Sequence, residues 1–368
     1  MKRLVLVGGG HAHIEVLRDL ARNPDGAVHA ILVTPFPRMI YSAMLPGHIA
    51  GHYALEECAI DLGALAKAAR AELRLTRASL VSPDIRKVAL ADGQVVDYDV
   101  LSIDAGPQPV VGDAKGVEQH AYVVRPLERL LQGWNDIYAR AVRGRINAIT
   151  IVGGGTAGIE LALAMNHRLR STLEPPHPKV RLISDAAGIG LPGGARRRLQ
   201  RRLRREQIDS HVGSAVAEVG PGFVRLKSGN EFVTEATFWV TGAGAQPWIG
   251  ESGLATDEAG FLRVNEFLQS TSHPNVFGAG DCVTNPQQPR PRAGVFAVRA
   301  APILVANLRA ALGDAPLTRF KPPRRFLALI GTGDRHAVGI WNGFAWQGSW
   351  VWRWKERIDR GFVGKYRA

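Results

Sequence analysis

The chain has 368 residues, of which 46% are hydrophobic and 21% charged, as in a soluble globular protein of two or three domains. Its two cysteines, Cys58 and Cys282, exclude a disulfide framework and favour a cytoplasmic location, and we expect neither a signal peptide nor an apolar stretch long enough to span a membrane. The net charge of +13 comes with no nucleic-acid-reading motif, so no nucleic-acid partner is expected and the arginines of 196–205 are assigned to a solvated helix.

The first third of the chain begins as a nucleotide-binding unit would. A strand over Lys2–Val7 is followed by the glycines 8–10 and by an amphipathic helix over 13–21. A second strand over 30–33 ends at a pair of prolines. A hairpin over 88–98 and a buried strand over 99–105 complete the pattern.

The same order of elements then appears a second time. A strand over 146–152 leads into the glycines 153–155 and a helix over 159–168. Further along come a strand over 180–184, a hairpin over 223–234 and a closing strand over 237–241. This internal repeat predicts two Rossmann units and therefore two bound dinucleotides.

The tail differs from both repeats, with strand-like segments from residue 326 and an aromatic helix from residue 349. The predicted fold class is therefore α/β, with two Rossmann-like (three-layer ββα) dinucleotide-binding domains and a small C-terminal α+β module. We place the first domain at 1–115 and 245–312, the second at 116–244 and the C-terminal module at 313–368.

The second glycine turn carries a complete dinucleotide-binding motif, with Gly153, Gly155 and Gly158 in the spacing G-x-G-x-x-G. The first glycine permits a tight turn, the second lets the backbone approach a pyrophosphate, and the third lets helix and strand pack closely. The N–H groups that start the helix, at Thr156 and Ala157, then attract phosphate.

The first glycine turn has the same spacing at Gly8 and Gly10, but His13 stands in place of the third glycine. A side chain there predicts a slightly larger distance between helix and strand. His11 and His13 flank Ala12 as an H-x-H pair, but without further ligands they predict no metal site.

Both repeats lack the acidic residue that usually binds a ribose hydroxyl after the second strand. Thr34 stands there in the first repeat, where its hydroxyl can still bond the ribose. The second repeat has Ser184 followed by Asp185, whose charge would repel a 2′-phosphate. This favours NADH mildly over NADPH.

The most specific segment is Gly278-Ala279-Gly280-Asp281-Cys282, which follows the second repeat. It resembles the G-D strand of the pyridine nucleotide-disulfide oxidoreductase superfamily, whose aspartate binds the ribityl chain of FAD. Residues 98–106 and 239–243 resemble the family's two A-T-G strands, with Asp104-Ala105 in place of Ala-Thr in the first.

The resemblance narrows at residues 7–13, 35–47 and 350–360, which look like NADH-dehydrogenase-like FAD-dependent oxidoreductases, a kind also found fused to selenide, water dikinase. Type II NADH:quinone and sulfide:quinone oxidoreductases are the nearest well-understood relatives. The FAD contacts that the motifs and the resemblance imply are Gly8, Gly10, His11, Ala12, His13, Thr34, Pro35, Ser42, Leu45, Ala78, Ala105, Gly106, Gly280, Asp281, Val295 and Phe296. The implied NAD(P) contacts are Gly153, Gly155, Thr156, Ala157, Gly158, Ser184, Asp185, Gly242 and Ala243.

The family's disulfide reductases carry a cysteine pair where this chain has residues 41–47, which contain none. A dithiol relay is therefore excluded, sulfide oxidation is disfavoured, and direct transfer from NAD(P)H through flavin to an acceptor is expected. The catalytic candidates are Glu160, which the family places near the nicotinamide, and Arg299, expected beside the flavin. The resemblance implies a small-molecule acceptor, a quinone or another compound, and a low-turnover redox sensor or accessory protein linked to selenium metabolism is the alternative.

The C-terminal helix carries Trp350, Trp354, Ile358 and Phe362 at four-residue spacing, with basic residues around them. Such a stripe is typical of a helix that lies on an anionic membrane, here the inner face of the plasma membrane. Packing against the first domain or against a second copy of the chain is the alternative.

Overall fold

The structure, a computed structural model, describes residues 1–186 and 191–367. Its two largest sheets each have five parallel strands. The helices are α1 (His11–Arg22), α2 (Leu45–Ile49), α3 (Leu62–Ala68), α4 (Val117–His120), α5 (Leu127–Val142), α6 (Thr156–Thr172), α7 (Gly193–Arg205), α8 (Pro247–Glu251), α9 (Gly294–Gly313) and α10 (Ser349–Gly364).

The first parallel sheet has its earliest strand at the centre. In spatial order its strands are Val276–Gly278, Val100–Ile103, Lys2–Val7, Val28–Val33 and Glu72–Arg74. A three-stranded antiparallel sheet covers one face, with strands Ala78–Ser82, Lys87–Leu90 and Val95–Asp97. Helices α1 and α9 cover the other face. We call this assembly the first unit.

The alternation of side chains along the central strand explains these layers. Leu4 and Leu6 pack with the residues of α1 and α9, whereas Val5 and Val7 pack with the antiparallel sheet. Because successive side chains of a strand point to opposite faces, an unbroken apolar run serves a sheet that is covered on both sides.

The second parallel sheet repeats this plan for four of its strands, whereas its edge strand comes first in the chain and that of the first sheet comes last. Its strands in spatial order are Ala121–Val123, Ala236–Trp239, Ala148–Val152, Lys179–Ser184 and Asp209–Val212. The antiparallel sheet of this second unit consists of Val216–Gly220, Phe223–Leu226 and Glu231–Val233. The repeat read from the sequence is thus a repeat of the architecture, with strand boundaries displaced by one or two residues.

The C-terminal module consists of an antiparallel sheet and α10. The strands are Ala328–Gly331, Ala337–Trp341 and Phe344–Gly348. Ile330, Val338 and Ile340 of the sheet join the core of the second unit, whereas Val363 and Tyr366 join the core of the first. The module therefore rests on both units.

Helix α9 corrects one expectation from the sequence. It is a 20-residue helix that contains an 18-residue window with a mean hydropathy of 1.6, long and apolar enough to cross a membrane, where no such stretch was expected. Half of that window is buried, and α9 packs along α1 in the core of the first unit. An alanine-rich helix that is covered by a sheet reaches this hydropathy without contact with lipid.

Candidate functional site

A groove of about 1260 Å³ runs along the carboxyl ends of the first parallel sheet. Its floor includes the glycine turn 8–10, and its opposite wall comes from the second unit, around residues 118–136. The edge of an open α/β sheet at its strand ends is where such folds bind ligands. The volume is sufficient for a dinucleotide.

The glycines of the first turn are required by close backbone approach. Gly8 has φ +97°, and a Cβ there would collide with the carbonyl of Asp104. A Cβ at Gly10 or at Gly280 would collide with the carboxylate of Asp104. These positions form a cradle that side chains would fill, which is what a bound pyrophosphate requires.

His13 explains how the first unit functions without its third glycine. Its side chain is fully buried, with Nδ1 2.6 Å from the carbonyl oxygen of Gly8 and Nε2 2.8 Å from Oγ of Ser102. The imidazole thus ties the glycine turn to the neighbouring strand. Burial lowers the pKa of His13 to about 4, so the ring is neutral at physiological pH.

Asp104 is a buried carboxylate that the sequence interpretation treated only as a departure from the family's strand. It is 4% exposed and lines the groove. Its Oδ2 accepts hydrogen bonds from the backbone N–H of Ala12 at 2.8 Å and of His13 at 3.4 Å, in the first turn of α1. Burial raises the pKa of Asp104 to about 7, assisted by the nearby charge of Asp281.

The predicted ribityl-binding residue, Asp281, also lines the groove. Burial raises its pKa, and the charge of Arg125 opposes that rise. Arg125 is mostly buried and lines the groove from the second unit, as do Arg38 and Arg77 from the first. No local pattern pointed to Arg125, which the approach of the two units brings to the site.

The structure brings eleven of the sixteen predicted FAD contacts to the groove, namely Gly8, Gly10, His11, Thr34, Pro35, Ser42, Ala78, Ala105, Gly106, Gly280 and Asp281. It places Ala12, His13 and Leu45 in the buried core and Val295 and Phe296 beside the groove on α9. From that helix Gly294 and Ala297 line the groove instead.

Arg299 is corrected by the structure. It is exposed on α9 and is absent from the groove lining. Consecutive helical residues are rotated by about 100°, so two residues beyond Ala297 the side chain points to nearly the opposite side. The expected position of Arg299 beside the flavin is therefore wrong.

The second glycine turn presents an open helix start. Gly155, Thr156 and Ala157 are exposed, and a Cβ at Gly155 would meet no atom of the described residues within 4 Å. By contrast, a Cβ at Gly158 would collide with the carbonyl of Gly153. The first of these positions is thus free for a ligand, and the last is required for packing.

The other predicted NAD(P) contacts lie around this turn. Ser184 is buried, and a Cβ at Gly154 would collide with its side chain. Asp185 is exposed at the end of the strand Lys179–Ser184. Gly242 and Ala243 follow the strand Ala236–Trp239, which lies beside the strand that ends in the glycine turn.

Glu160 faces away from the large groove, toward the C-terminal module. Its Oε1 accepts a 2.7 Å hydrogen bond from the backbone N–H of Gly331. Burial raises its pKa to about 7, against the lowering effect of Lys355. Glu160 and Lys355 both line a small cavity of about 20 Å³, enough for about one water molecule.

Lys355 and Asp359 form a buried ion pair that the sequence interpretation missed. The Nζ of Lys355 donates to Oδ2 of Asp359 and to the carbonyl of Ala43, both at 2.6 Å. Burial and the nearby charge of Asp359 raise the pKa of the Tyr41 phenol. Segment 41–47 therefore has the groove on one side, at Ser42, and this ionic cluster on the other.

Both cysteines are buried as free thiols. Cys282 donates to the carbonyl of Ala279 at 3.2 Å, and neither cysteine lines the groove. Burial raises the pKa of each thiol, which disfavours the nucleophilic thiolate.

Three comparisons with known proteins bear on this site. NADH dehydrogenase-like protein Rv1812c of Mycobacterium tuberculosis is 26% identical over 295 residues, 76% of this chain and 72% of that protein. The sulfide:quinone oxidoreductase of Aquifex aeolicus has a TM-score of 0.82 at 19% identity, over 100% of this chain and 92% of the other. NDH2 of Plasmodium falciparum, solved in complex with NADH, also gives 0.82, at 13% identity over 99% and 97%.

The two solved structures share the fold of this chain and confirm the predicted class of two Rossmann-like units. The superfamily inferred from the glycine turns and from Asp281 is confirmed as well. The pyridine nucleotide-disulphide oxidoreductase family matches residues 2–301, most of the sequence. The chain therefore belongs to the pyridine nucleotide-disulphide oxidoreductase family.

Proposed function

We propose that this protein oxidises NAD(P)H through a bound FAD and passes the electrons to a small-molecule acceptor, of which a quinone is the best-supported kind. Its family and fold confirm FAD and NAD(P)H as cofactors and NAD(P)H dehydrogenation as the enzyme class. The observation that carries the proposal is the pairing of a groove that fits a dinucleotide with a second, open glycine turn. The flavin, when bound, supplies the hydride and electron chemistry.

The residues of the groove suit FAD binding and leave no role for a thiol. The glycine turn 8–10 and the N-terminus of α1 would hold the pyrophosphate, Asp281 the ribityl hydroxyls, and Arg125 would offset the negative charge. At the second turn, the exposed Gly155 would hold the pyrophosphate of the nicotinamide cofactor. Asp185 favours NADH there.

Reduction of the acceptor consumes a proton, and we propose that Glu160 donates it. A hydride carries two electrons and one proton, so an acceptor that takes up two electrons and two protons needs one further proton. A carboxyl group with a pKa of about 7 is suited to donate it near neutral pH. The cavity beside Glu160 and the Lys355–Asp359 pair adjoin segment 41–47, the wall of the groove.

This role can be tested with Glu160→Gln in steady-state and rapid-reaction kinetics. We expect acceptor-limited kcat with a soluble quinone to fall about 10- to 100-fold, while reduction of the flavin by NADH keeps its rate. In the unmodified protein kcat should decline above about pH 7, as Glu160 loses its proton. The exposed Glu174→Gln variant is the control, and equal loss in both half-reactions would contradict the role.

A lipid-soluble acceptor agrees with the surface of the C-terminal module. Among the described residues, every exposed large aromatic side chain lies there, and these are Trp341, Phe344, Trp350 and Trp354. On α10 the predicted stripe is mostly exposed, at 51% for Trp350, 39% for Trp354 and 43% for Ile358, while Phe362 stacks on Tyr41. The exposed Arg353 and Arg357 lie beside it. We propose that this aromatic surface contacts an anionic membrane peripherally.

Liposome co-sedimentation tests this contact. Replacing Trp350, Trp354 and Ile358 by serine should abolish binding to anionic vesicles at low salt, whereas Leu75, Ile85 and Val95, exposed elsewhere, can be replaced without effect. Truncation before α10 is unsuitable because the helix also buries Val351 and Val363. Absence of binding by the unmodified chain, or a dimer that dissociates in the triple variant, would overturn the membrane assignment in favour of self-association.

The alternative function is a flavin-bound redox sensor or accessory protein with little turnover. It would show stoichiometric flavin reduction by NADH but no multiple turnover in a screen of quinones and other acceptors. Rapid turnover with any of these acceptors excludes it. Sulfide oxidation is disfavoured because both thiols are buried away from the groove.

A further inference from the structure

Asp104 lies at the start of α1, where the family's fold would bind the phosphates of a cofactor. Its Oδ2 accepts from the N–H groups of Ala12 and His13, which belong to the first turn of α1. Helix N-termini bind phosphates through such N–H groups. The first unit thus brings its own carboxyl group to the helix start that faces the groove.

The equivalent position of the second unit shows that this arrangement is a specific feature. The N–H of Asp104 bonds the carbonyl of Val7, and the N–H of Val240 bonds the carbonyl of Val152 in the same way. Val240 therefore takes the place of Asp104, and no carboxylate meets the second helix start among the described residues. A carboxylate anion beside a pyrophosphate would repel it. Because the second unit has Val240 at this position, only the first unit can have its nucleotide binding altered by the charge of such a residue.

The two oxygens of Asp104 have different surroundings. Oδ2 is bonded to the helix start, whereas Oδ1 makes no hydrogen bond to the described residues and lies against Gly10 and Gly280, at the groove. A neutral carboxylic acid can accept through one oxygen and donate through the other. We propose that Asp104 binds FAD as the neutral acid, with Oδ1 donating its proton to the pyrophosphate, so that binding FAD requires a proton on this residue.

Few other groups titrate around Asp104 in the relevant pH range. His11 and His13, on α1, have pKa values lowered to about 4 by burial and are neutral above pH 6. Asp281 and Cys282 face it from the neighbouring turn, and Arg125 lies across the groove. The pKa of about 7 for Asp104 in the free protein implies that FAD binding weakens as pH rises above 7.

This inference rests on the assignment of the groove to FAD, and the release of FAD from the holoprotein tests both. After serial dilution, flavin fluorescence gives the dissociation constant from about pH 6 to about pH 9, and we expect it to rise about 50- to 100-fold over that range. Asp104→Asn retains an acceptor and a donor without the titration. It should bind like the unmodified protein at pH 6, and tighter than it at pH 9.

Two variants separate this role from a purely structural one. Asp104→Val, which copies the second unit, should weaken binding at all pH values without a slope, and Asp281→Asn should weaken it while keeping the slope. A dissociation constant independent of pH in the unmodified chain, or weaker binding of Asp104→Asn at pH 9, would overturn the proposal. A protein that binds no FAD at any pH would instead contradict the proposed function.

Discussion

The two nucleotide-binding units share the order of four strands and the same glycine turn, but they stabilise the start of the following helix differently. In the second unit Gly158 lies against the carbonyl of Gly153, and the helix start is open to solvent. In the first unit His13 is hydrogen-bonded to the carbonyl of Gly8, and the buried Asp104 accepts a hydrogen bond from the backbone N–H of Ala12 at the helix start. One fold thus forms a nucleotide site with a bare glycine turn or with a buried polar network.

The difference predicts what each unit tolerates. A small residue at the third motif position makes the site dependent on close packing, whereas a buried histidine and carboxylate make it dependent on hydrogen bonds and on protonation states.

The largest effect is expected from valine at the middle glycine of each turn. Gly155→Val places its side chain in open space, so the protein should fold and keep FAD but lose NADH-driven flavin reduction by more than about 100-fold. Gly10→Val would collide with Asp104 and should lose FAD instead. Flavin absorbance and anaerobic NADH titration measure both outcomes. Loss of both cofactors in Gly155→Val would mean that the two units are wrongly assigned.

A smaller effect is expected at Asp281, which only the first unit possesses. Asp281→Ala should weaken FAD binding about 10- to 100-fold, because a charged carboxylate that accepts a hydrogen bond from the cofactor is lost. The protein would be purified depleted in flavin. Asp92→Ala, in an exposed turn, is the control. Full flavin occupancy in the Asp281 variant at micromolar protein concentration would refute the ribityl assignment.

Substitutions at the third motif position, His13 in the first unit and Gly158 in the second, should lower the free energy of unfolding by different amounts. His13→Ala removes the partner of the Gly8 carbonyl and of Ser102 and leaves a cavity, which costs about 2–5 kcal/mol. Gly158→Ala forces a Cβ against the Gly153 carbonyl and costs about 1–3 kcal/mol. Chemical denaturation of the flavin-free proteins, with the exposed His120→Ala as control, gives both values. An unchanged free energy of unfolding in His13→Ala would show that the histidine does not stabilise the turn.

The last effect is a pH dependence that only the first unit should contribute. The folded-state pKa of His13 is lowered to about 4, below its unfolded value of 6.5, so the unfolded chain binds the proton first. Its contribution is complete above pH 6.5 and is lost as the pH falls toward 4, by about 3 kcal/mol. Asp104, whose pKa is raised in the folded protein, contributes a pH dependence of stability with the opposite sign. The contribution of His13 is therefore isolated by comparing the unmodified protein with His13→Gln. Identical acid profiles of the two proteins would contradict a buried neutral ring.

Much of the fold was determined by local sequence patterns. The strand Lys2–Val7, both glycine turns and the repeated succession of strand, turn and helix could be predicted because alternation, helical period and turn chemistry act over a few residues. The groove residues next to those turns were predictable for the same reason, since the carboxyl ends of parallel strands meet at one edge.

Tertiary structure alone decided which polar groups meet. Asp104 reaches α1 from a strand about 90 residues later, and Arg125 reaches the groove from the other unit. On α10 the most apolar stripe, at Trp350 and Trp354, is exposed, while the face with Lys355 and Asp359 is buried. Periodicity could not reveal this, because the paired charges and the Ala43 carbonyl compensate the cost of burial only once α10 and segment 41–47 have come together.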